Sequence, residues 1–278
     1  MKSFFYVLLL PVLFFACSPN NVTKDDSLKK YFDENNTEGC FALMDNGTGQ
    51  FTVFNLSRYF DSSYLPASTF KIVNSLIGLQ TGKISNDSMV IKWDGIKRPF
   101  DSWNKDLSMY EAFRVSSVPY YQEVARRIGK DTMQRYLNSL GYGAKTDTDK
   151  VVITSPIDTF WLDNSITITP DQQLGLMKKL YFNQLPGFFK SNQEIVKRAM
   201  LMESTPDYRL GYKTGWSFWN EKTGKQLAWM LGWIEENNHP YFFVLNFETK
   251  DKNADIPAIR IEMLKDILKQ LGFFKGKM

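Results

Sequence analysis

The sequence predicts an α+β fold: one antiparallel sheet built from N- and C-terminal strands, with helices on both faces and a largely helical middle region. Three observations lead there. CFALMDNGTGQFTVFNL, starting at Cys40, holds two short β-type runs around Asn46-Gly47, three further strand candidates fall between residues 209 and 248, and most of the chain between reads as helix or loop. Leu227 to Ile234 is apolar at almost every position, so both faces of that strand need cover. The chain shows no internal repeat.

In chain order, MKSFFYVLLLPVLFFACS gives a positive start, an apolar run too short to span a membrane comfortably, and small residues before Cys17. Residues 1–16 therefore read as an export signal of lipoprotein type, with Phe14-Phe15-Ala16-Cys17 as a loose lipoprotein box and Cys17 as the lipidated residue. An ordinary signal peptide cut near Ala16 and a retained anchor are the alternatives. The implied location is periplasmic, held to the membrane through Cys17. Residues 17–38 are polar and charged and read as a tether, leaving residues 39–278 as the folded domain. Asn46-Gly47 marks a hairpin. A helix runs from a cap at Ser68 to a stop at Thr81-Gly82, followed by helices at 119–128 and 131–140. Residues 151–168 read as irregular or short strands, and 170–182 and 191–202 as two more helices. RLGYKTGWSFW, KQLAWMLGWIEE and PYFFVLNFE are the strands that follow, the last two joined at Asn237-Asn238-His239-Pro240; an amphipathic helix closes the chain at 257–271.

With 278 residues, 43% apolar and 15% aromatic, the chain has ample material for a large core. Its net charge of +4 becomes +3 without Lys2, and no dense Lys/Arg run follows, which argues against nucleic acid. Of the two cysteines, Cys40 is alone if Cys17 is modified, so no internal disulfide is expected. His239 is the single histidine and lies in an expected turn, which argues against a Ser-His-Asp triad and against a histidine-built metal site. Phe188-Phe189 and Tyr241-Phe242-Phe243 read as core.

Three elements could carry chemistry. Ser68-Thr69-Phe70-Lys71 fits S-x-x-K, in which the lysine amine can reach the serine hydroxyl across one helical turn. Alone, such a match is weak, and a lysine there could simply point outward. Lys213-Thr214-Gly215 sits in an expected strand, where the glycine leaves room for a ligand backbone and the lysine and hydroxyl can bind a carboxylate; the alternative is a solvated strand lysine. Ser116-Ser117-Val118 precedes a helix that Pro119 can begin, so a serine here relays a proton or caps the helix. Ser102-Trp103-Asn104 competes as an S-x-N element whose asparagine could hold a substrate amide.

PASTFK at 66–71, SSVPYYQEVARRIG at 116–129, YG at 142–143, FWLDNSITITPDQQ at 160–173, YKTGWS at 212–217, and Arg260 before the last helix together resemble the serine β-lactamase and penicillin-binding protein superfamily. The nearer resemblance is to class D β-lactamases, the oxacillinases, from about Lys30 to Phe274. One departure is visible: Ala144 stands where that family usually has asparagine after Tyr-Gly.

The resemblance implies hydrolysis of the β-lactam amide of penicillin-type antibiotics through a Ser68 acyl-enzyme, and hence resistance. It implies that Lys71, made neutral by an apolar pocket of Phe70, Val118, Trp161 and Leu162, adds carbon dioxide to become a carbamate that accepts the indole N–H of Trp161 and serves as general base for acylation and deacylation. Ser116 would relay protons to the leaving nitrogen. The backbone N–H groups of Ser68 and Trp216 would form the oxyanion hole, and Lys213, Thr214, Gly215, Trp216, Val118 and Arg260 would bind substrate. The plain alternatives are a core aromatic at Trp161, a strand residue at Trp216 and a helix-capping surface cation at Arg260. No metal is implied; carbon dioxide or bicarbonate is the one small molecule besides substrate. The competing readings are a penicillin-binding transpeptidase or carboxypeptidase, and a β-lactam sensor domain. A monomer and a homodimer are equally open.

Overall fold

The computed structural model describes residues 21–144, 146, 149–220 and 222–276, apart from the side chain of residue 219. The leader expected over 1–16 and the expected lipidation at Cys17 lie outside the described residues. β1 (Val22–Lys24) and α1 (Lys29–Glu34) precede the hairpin of β2 (Glu38–Asp45) and β3 (Phe51–Phe54), and α2 (Leu56–Asp61) follows. The middle region holds α3 (Lys71–Gln80), the small ladder of β4 (Val90–Ile91) with β5 (Leu107–Ser108), α4 (Met109–Arg114), α5 (Val118–Ile128), α6 (Lys130–Leu140), α7 (Pro170–Tyr181) and α8 (Lys190–Met200). β6 (Leu201–Ser204), β7 (Tyr208–Asn220), β8 (Lys225–Glu236), β9 (His239–Thr249) and α9 (Ile256–Gln270) complete it.

Among the described residues seven strands form one sheet, ordered β1-β3-β2-β9-β8-β7-β6. N-terminal and C-terminal strands meet where β2 pairs antiparallel with β9, Glu38 opposite Glu248 through Asp45 opposite Tyr241. Alternation along β8 explains its unbroken apolar run. Ala228, Met230 and Ile234 pack with Met263, Leu264 and Ile267 of α9, whereas Trp229, Leu231 and Trp233 face the helical region. The sheet therefore has helices on both faces, as the sequence predicts.

Several local details differ from expectation. Residues 22–37, expected within a polar tether, are folded: β1 pairs parallel with β3, and Leu28 and Phe32 are buried among Phe247, Leu268 and their neighbours. Their few apolar residues are spaced to reach one face, which a compositional reading misses. The β2–β3 hairpin forms, yet its turn is organised by the Asp45 carboxylate, which accepts from Gly47 N at 2.7 Å, rather than by Asn46-Gly47 in left-handed geometry. The tight two-residue turn is instead at Asn237 (φ 50°) and Asn238 (φ 61°), with His239 and Pro240 already in β9. Residues 151–168 hold no strand beyond a single bridge from Ile168 to Tyr64. Phe188 is buried, but Phe189 is 67% exposed.

The sheet edge positions the site. β6 pairs only with Arg209, Leu210 and Gly211 of β7, which leaves the following stretch of that edge to face the turn that carries Ser68.

Candidate active site

Ser68 lies in a single 3-10 turn, Ala67–Phe70, that runs directly into α3. Pro66 occupies the cap position, so Ser68 does not cap the helix as expected, and its Oγ accepts a hydrogen bond from Lys71 Nζ at 2.7 Å. Ala67 is held at φ 48°, a left-handed conformation costly for a residue with a Cβ. The described non-glycine residues with positive φ are otherwise asparagines, apart from Ser116 and Phe274. Of these three exceptions, Ala67 thus immediately precedes the S-x-x-K segment and Ser116 begins the Ser-Ser-Val segment. The turn is braced from behind, because Thr69 Oγ1 donates to the Pro66 carbonyl at 2.6 Å and accepts from Gln173 Nε2 of α7 at 2.8 Å, all of it buried.

Lys71 does not point outward. Every residue of α3 from Lys71 to Leu79 is buried, and Lys71 is 0% exposed. Burial penalises the ammonium and pushes its pKa from 10.5 down to about 7. Phe70 stacks on Trp161 with ring centroids 5.4 Å apart and is edge-on to Phe160 and Tyr142, which makes the wall beside Lys71 dry. Trp161 is fully buried, and its indole N–H has no partner. Val118 and Leu162 are half-buried and line the open cavity, while Phe70 and Trp161 are fully buried.

The two serines of the second segment divide the roles that the sequence leaves open. Ser117 caps α5, accepting from Tyr120 N, with Pro119 in the first turn. Ser116, at φ 55°, instead accepts from Lys213 Nζ at 2.9 Å. Lys213 is 1% exposed and also donates to the Thr214 carbonyl at 3.1 Å, so it is no solvated strand residue. Burial, with the charges of Lys71 and Arg260 added, holds its pKa well below the ordinary lysine value.

These groups open onto a cavity of about 480 Å³, whose walls include Ser68, Ser116, Val118, Leu162, Thr214, Trp216 and Arg260 and no carboxylate. Arg260 lies within the first turns of α9, not before that helix. It donates to the Gly215 carbonyl at 3.2 Å, burial pushes its pKa down to about 10, and its Nε has no partner. At Gly215 a Cβ would sit 3.0 Å from Thr69 Cγ2 and 3.1 Å from the Trp229 side chain, so the missing side chain lets β7 close on the Ser68 turn. Asn104 of the competing S-x-N element is consumed by its own loop, bonding to Arg98 N and O at 2.8 and 2.9 Å, and holds nothing in the cavity. At Ala144 the loop keeps its tie to α7 through the backbone, since Gln172 Nε2 donates to the Ala144 carbonyl at 2.5 Å.

Sequence reasoning did not identify Leu65, Phe100, Val115 or Pro257 as cavity walls. Phe100 stacks toward Phe218 at 6.1 Å and lies tilted against Trp103 at 4.6 Å, so an aromatic rim forms from segments more than a hundred residues apart. No spacing within one element signals such a rim. Among the described residues no group of three or more His, Cys, Asp or Glu could hold a metal ion, and no helix is long and apolar enough to cross a membrane. Cys40 is a buried free thiol in β2.

Residues 29–269 match the family model described as the penicillin-binding protein transpeptidase domain. The chain is 34% identical over 276 residues to β-lactamase OXA-11 of Pseudomonas aeruginosa, covering 99% of this chain and 100% of that one. Among solved structures it is similar to FUS-1 (OXA-85), a class D β-lactamase from Fusobacterium nucleatum subsp. polymorphum, with a TM-score of 0.82, 34% identity, and coverage of 91% and 100% of the two chains. It is also similar to the C-terminal domain of the Bacillus licheniformis BlaR penicillin-receptor, with a TM-score of 0.82, 29% identity, and coverage of 93% and 99%.

Proposed function

The chain belongs to the penicillin-binding protein transpeptidase domain family and, within it, to the class D β-lactamases, and from that premise we propose that it hydrolyses the β-lactam amide of penicillin-type antibiotics through an acyl-enzyme on Ser68, giving resistance to them. The observation that carries the reading is the contact of Lys71 Nζ with Ser68 Oγ at 2.7 Å in a dry pocket, where burial brings the amine's pKa down to about 7 and so leaves a large share of it neutral at physiological pH.

A neutral amine next to the hydroxyl can take its proton as Ser68 Oγ attacks the lactam carbonyl. Ser68 and Trp216 both line the cavity, and their backbone N–H groups would hold the oxyanion. When the ring C–N bond breaks, the nitrogen needs a proton. Ser116 supplies it and is recharged by Lys213, whose Nζ lies 2.9 Å away. Thr214 and Arg260 line the cavity and present the hydroxyl and positive charge that a β-lactam carboxylate requires, Lys213 stands behind Ser116 and would add its charge when protonated, and the cavity offers no competing acid.

The residues present also fit a carboxylated Lys71. Only a neutral amine adds carbon dioxide, with loss of one proton, and the orphaned N–H of Trp161 is a donor for the resulting carboxylate. A carbamate there would supply an anionic base for activating water in deacylation. Trp161→Phe keeps the stacking on Phe70 and removes the donor; a carbon-13 carbamate signal in labelled bicarbonate is expected for the parent protein and lost in the variant, with deacylation slowed. A signal of equal strength in both would remove Trp161 from the role.

Mixing with a chromogenic cephalosporin tests the main proposal, and many turnovers per enzyme are expected. A single stoichiometric burst would favour the second reading, a sensor that acylates and stays acylated, to which the likeness to the BlaR penicillin-receptor domain gives weight.

A further inference from the structure

A second cavity, of about 460 Å³, lies against the first and shares Trp103 with it. We propose that it is a binding site for a small aromatic or heterocyclic carboxylate, and that its occupant acts on the first cavity through Trp103.

Charge sets the ligand class. Five cationic side chains line the cavity against two carboxylates. Asp94 is committed to Arg98, whose two terminal nitrogens reach it at 2.7 and 2.6 Å. Glu123 is shared by Arg126 and Arg127 at 3.2 and 2.8 Å. Lys92 and Lys105 are left, both exposed and both without an ion pair among the described residues. An anion entering the cavity meets two lysines that neither lining carboxylate pairs with, while Glu111, outside the lining, feels the charge of Lys105.

Aromatic surfaces supply the rest. The walls include Trp93, Trp103 and Tyr120, and each has its polar atom already engaged: Trp93 Nε1 with the Ile96 carbonyl at 3.0 Å, Trp103 Nε1 with the Val115 carbonyl at 2.9 Å, and Tyr120 Oη with the Met89 carbonyl at 3.0 Å. What Trp93 and Trp103 offer a ligand is ring surface, against which a planar acid packs while its carboxylate meets the lysines; Tyr120, 3% exposed, offers little of it. The Trp93 loop is preformed, since Trp93 N donates to Asp106 Oδ1 at 2.9 Å and Asn104 ties both backbone groups of Arg98.

Trp103 connects the two cavities. Its indole holds the carbonyl of Val115, the residue before Ser116, whose φ of 55° positions its hydroxyl on Lys213. Ser117, which caps α5, lines the second cavity directly. A ligand packed on Trp103 therefore shifts the energy of the segment that presents Ser116.

The test uses 4-(trifluoromethyl)benzoate observed by fluorine-19 NMR. Titration into the parent protein, an Arg260→Ala variant and a Lys92→Glu/Lys105→Glu variant separates the cavities, because the first has its carboxylate-binding charge at Arg260 and the second at the two lysines. The expected result is saturable binding that survives Arg260→Ala and weakens by roughly tenfold or more in the double variant. No saturable binding, binding lost in Arg260→Ala, or equal binding in all three proteins would overturn the site. Turnover of a chromogenic cephalosporin, measured with and without the probe, tests the coupling: a change in kcat that disappears in Trp103→Phe is expected, and an unchanged kcat at saturation would overturn it. The NMR readout does not depend on turnover, so a protein that proved not to hydrolyse β-lactams would still decide the binding question.

Discussion

At Lys71, burial takes away the water that stabilises an ammonium, and nothing acidic lines the cavity to replace it. The pKa moves from 10.5 to about 7 in the folded chain, while the unfolded chain keeps the ordinary value. Between those two values the unfolded state binds the extra proton, so stability rises with pH across that window by about 1.4 kcal/mol per unit and is lost as pH falls toward 7. Chemical denaturation in carbonate-free buffer should show this slope in the parent protein and a flatter one in Lys71→Met, which has no proton to bind. Activity carries the same sign. Below about pH 7 the charged amine is no base, and kcat/KM is expected to drop by about tenfold per pH unit. A pH profile level down to pH 5 would contradict the assignment of Lys71 as base. The residues on which this depends are legible in the sequence, because Ser68, Lys71, Ser116 and Lys213 sit in short segments whose order is itself informative. What the sequence leaves open is which neighbour does what: only packing decides that Ser117 caps α5 and Ser116 meets Lys213.

At the scale of elements, the Ser68 turn is a strained piece held between α7 and β7. Thr69 does both jobs, its hydroxyl linking the Pro66 carbonyl to Gln173 and its methyl lying where a Cβ on Gly215 would crowd it. Thr69→Val keeps the shape and removes the hydroxyl, so the buried Gln173 amide loses its acceptor. A cost of about 1–3 kcal/mol follows, with a thermal midpoint lowered by several degrees. Because the released turn also carries Ser68 and its N–H, acylation is expected to slow with KM little changed, and Thr69→Ser should recover much of the rate. Full activity in the valine variant would show that the turn holds itself. Elements of this kind divide into legible and illegible by length. β8, β9 and α9 announce themselves through long apolar patterns, whereas α2 is a six-residue helix whose anchor, Tyr59 Oη on Asp171 at 2.8 Å, lies over a hundred residues away. For α4 the signal is present in the sequence as S-x-x-E, since Ser108 and Glu111 form a capping box.

For the whole molecule, the consequence of a sheet that begins at Val22 is mechanical. A tether expected over residues 17–38 would let the domain range freely, but residues 22–37 are bound into it through the β1–β3 pairing and the burial of Leu28 and Phe32. Composition hid this because a short strand and one turn of amphipathic helix need only three or four apolar residues, and those are diluted among Lys, Asp and Asn. If Cys17 carries lipid, as the leader suggests, the path from it to Asn21, which is tied to the fold through Gly49 and Phe51, is only four residues long and reaches at most about 14 Å. The domain would then ride close against the bilayer with little rotational freedom, and one lipidated cysteine would be the whole of its attachment. Palmitate labelling of cells that express the full chain should mark the protein in the membrane fraction. Cys17→Ser should lose the label and move the protein to the soluble fraction with kcat unchanged, since Cys17 precedes the folded chain and the site lies among β7, α3 and α9. A label that persists in Cys17→Ser would place the lipid on another residue, a parent protein that is soluble and unlabelled would point to an ordinary signal peptide cut near Ala16, and in either case the short link would carry no mechanical meaning.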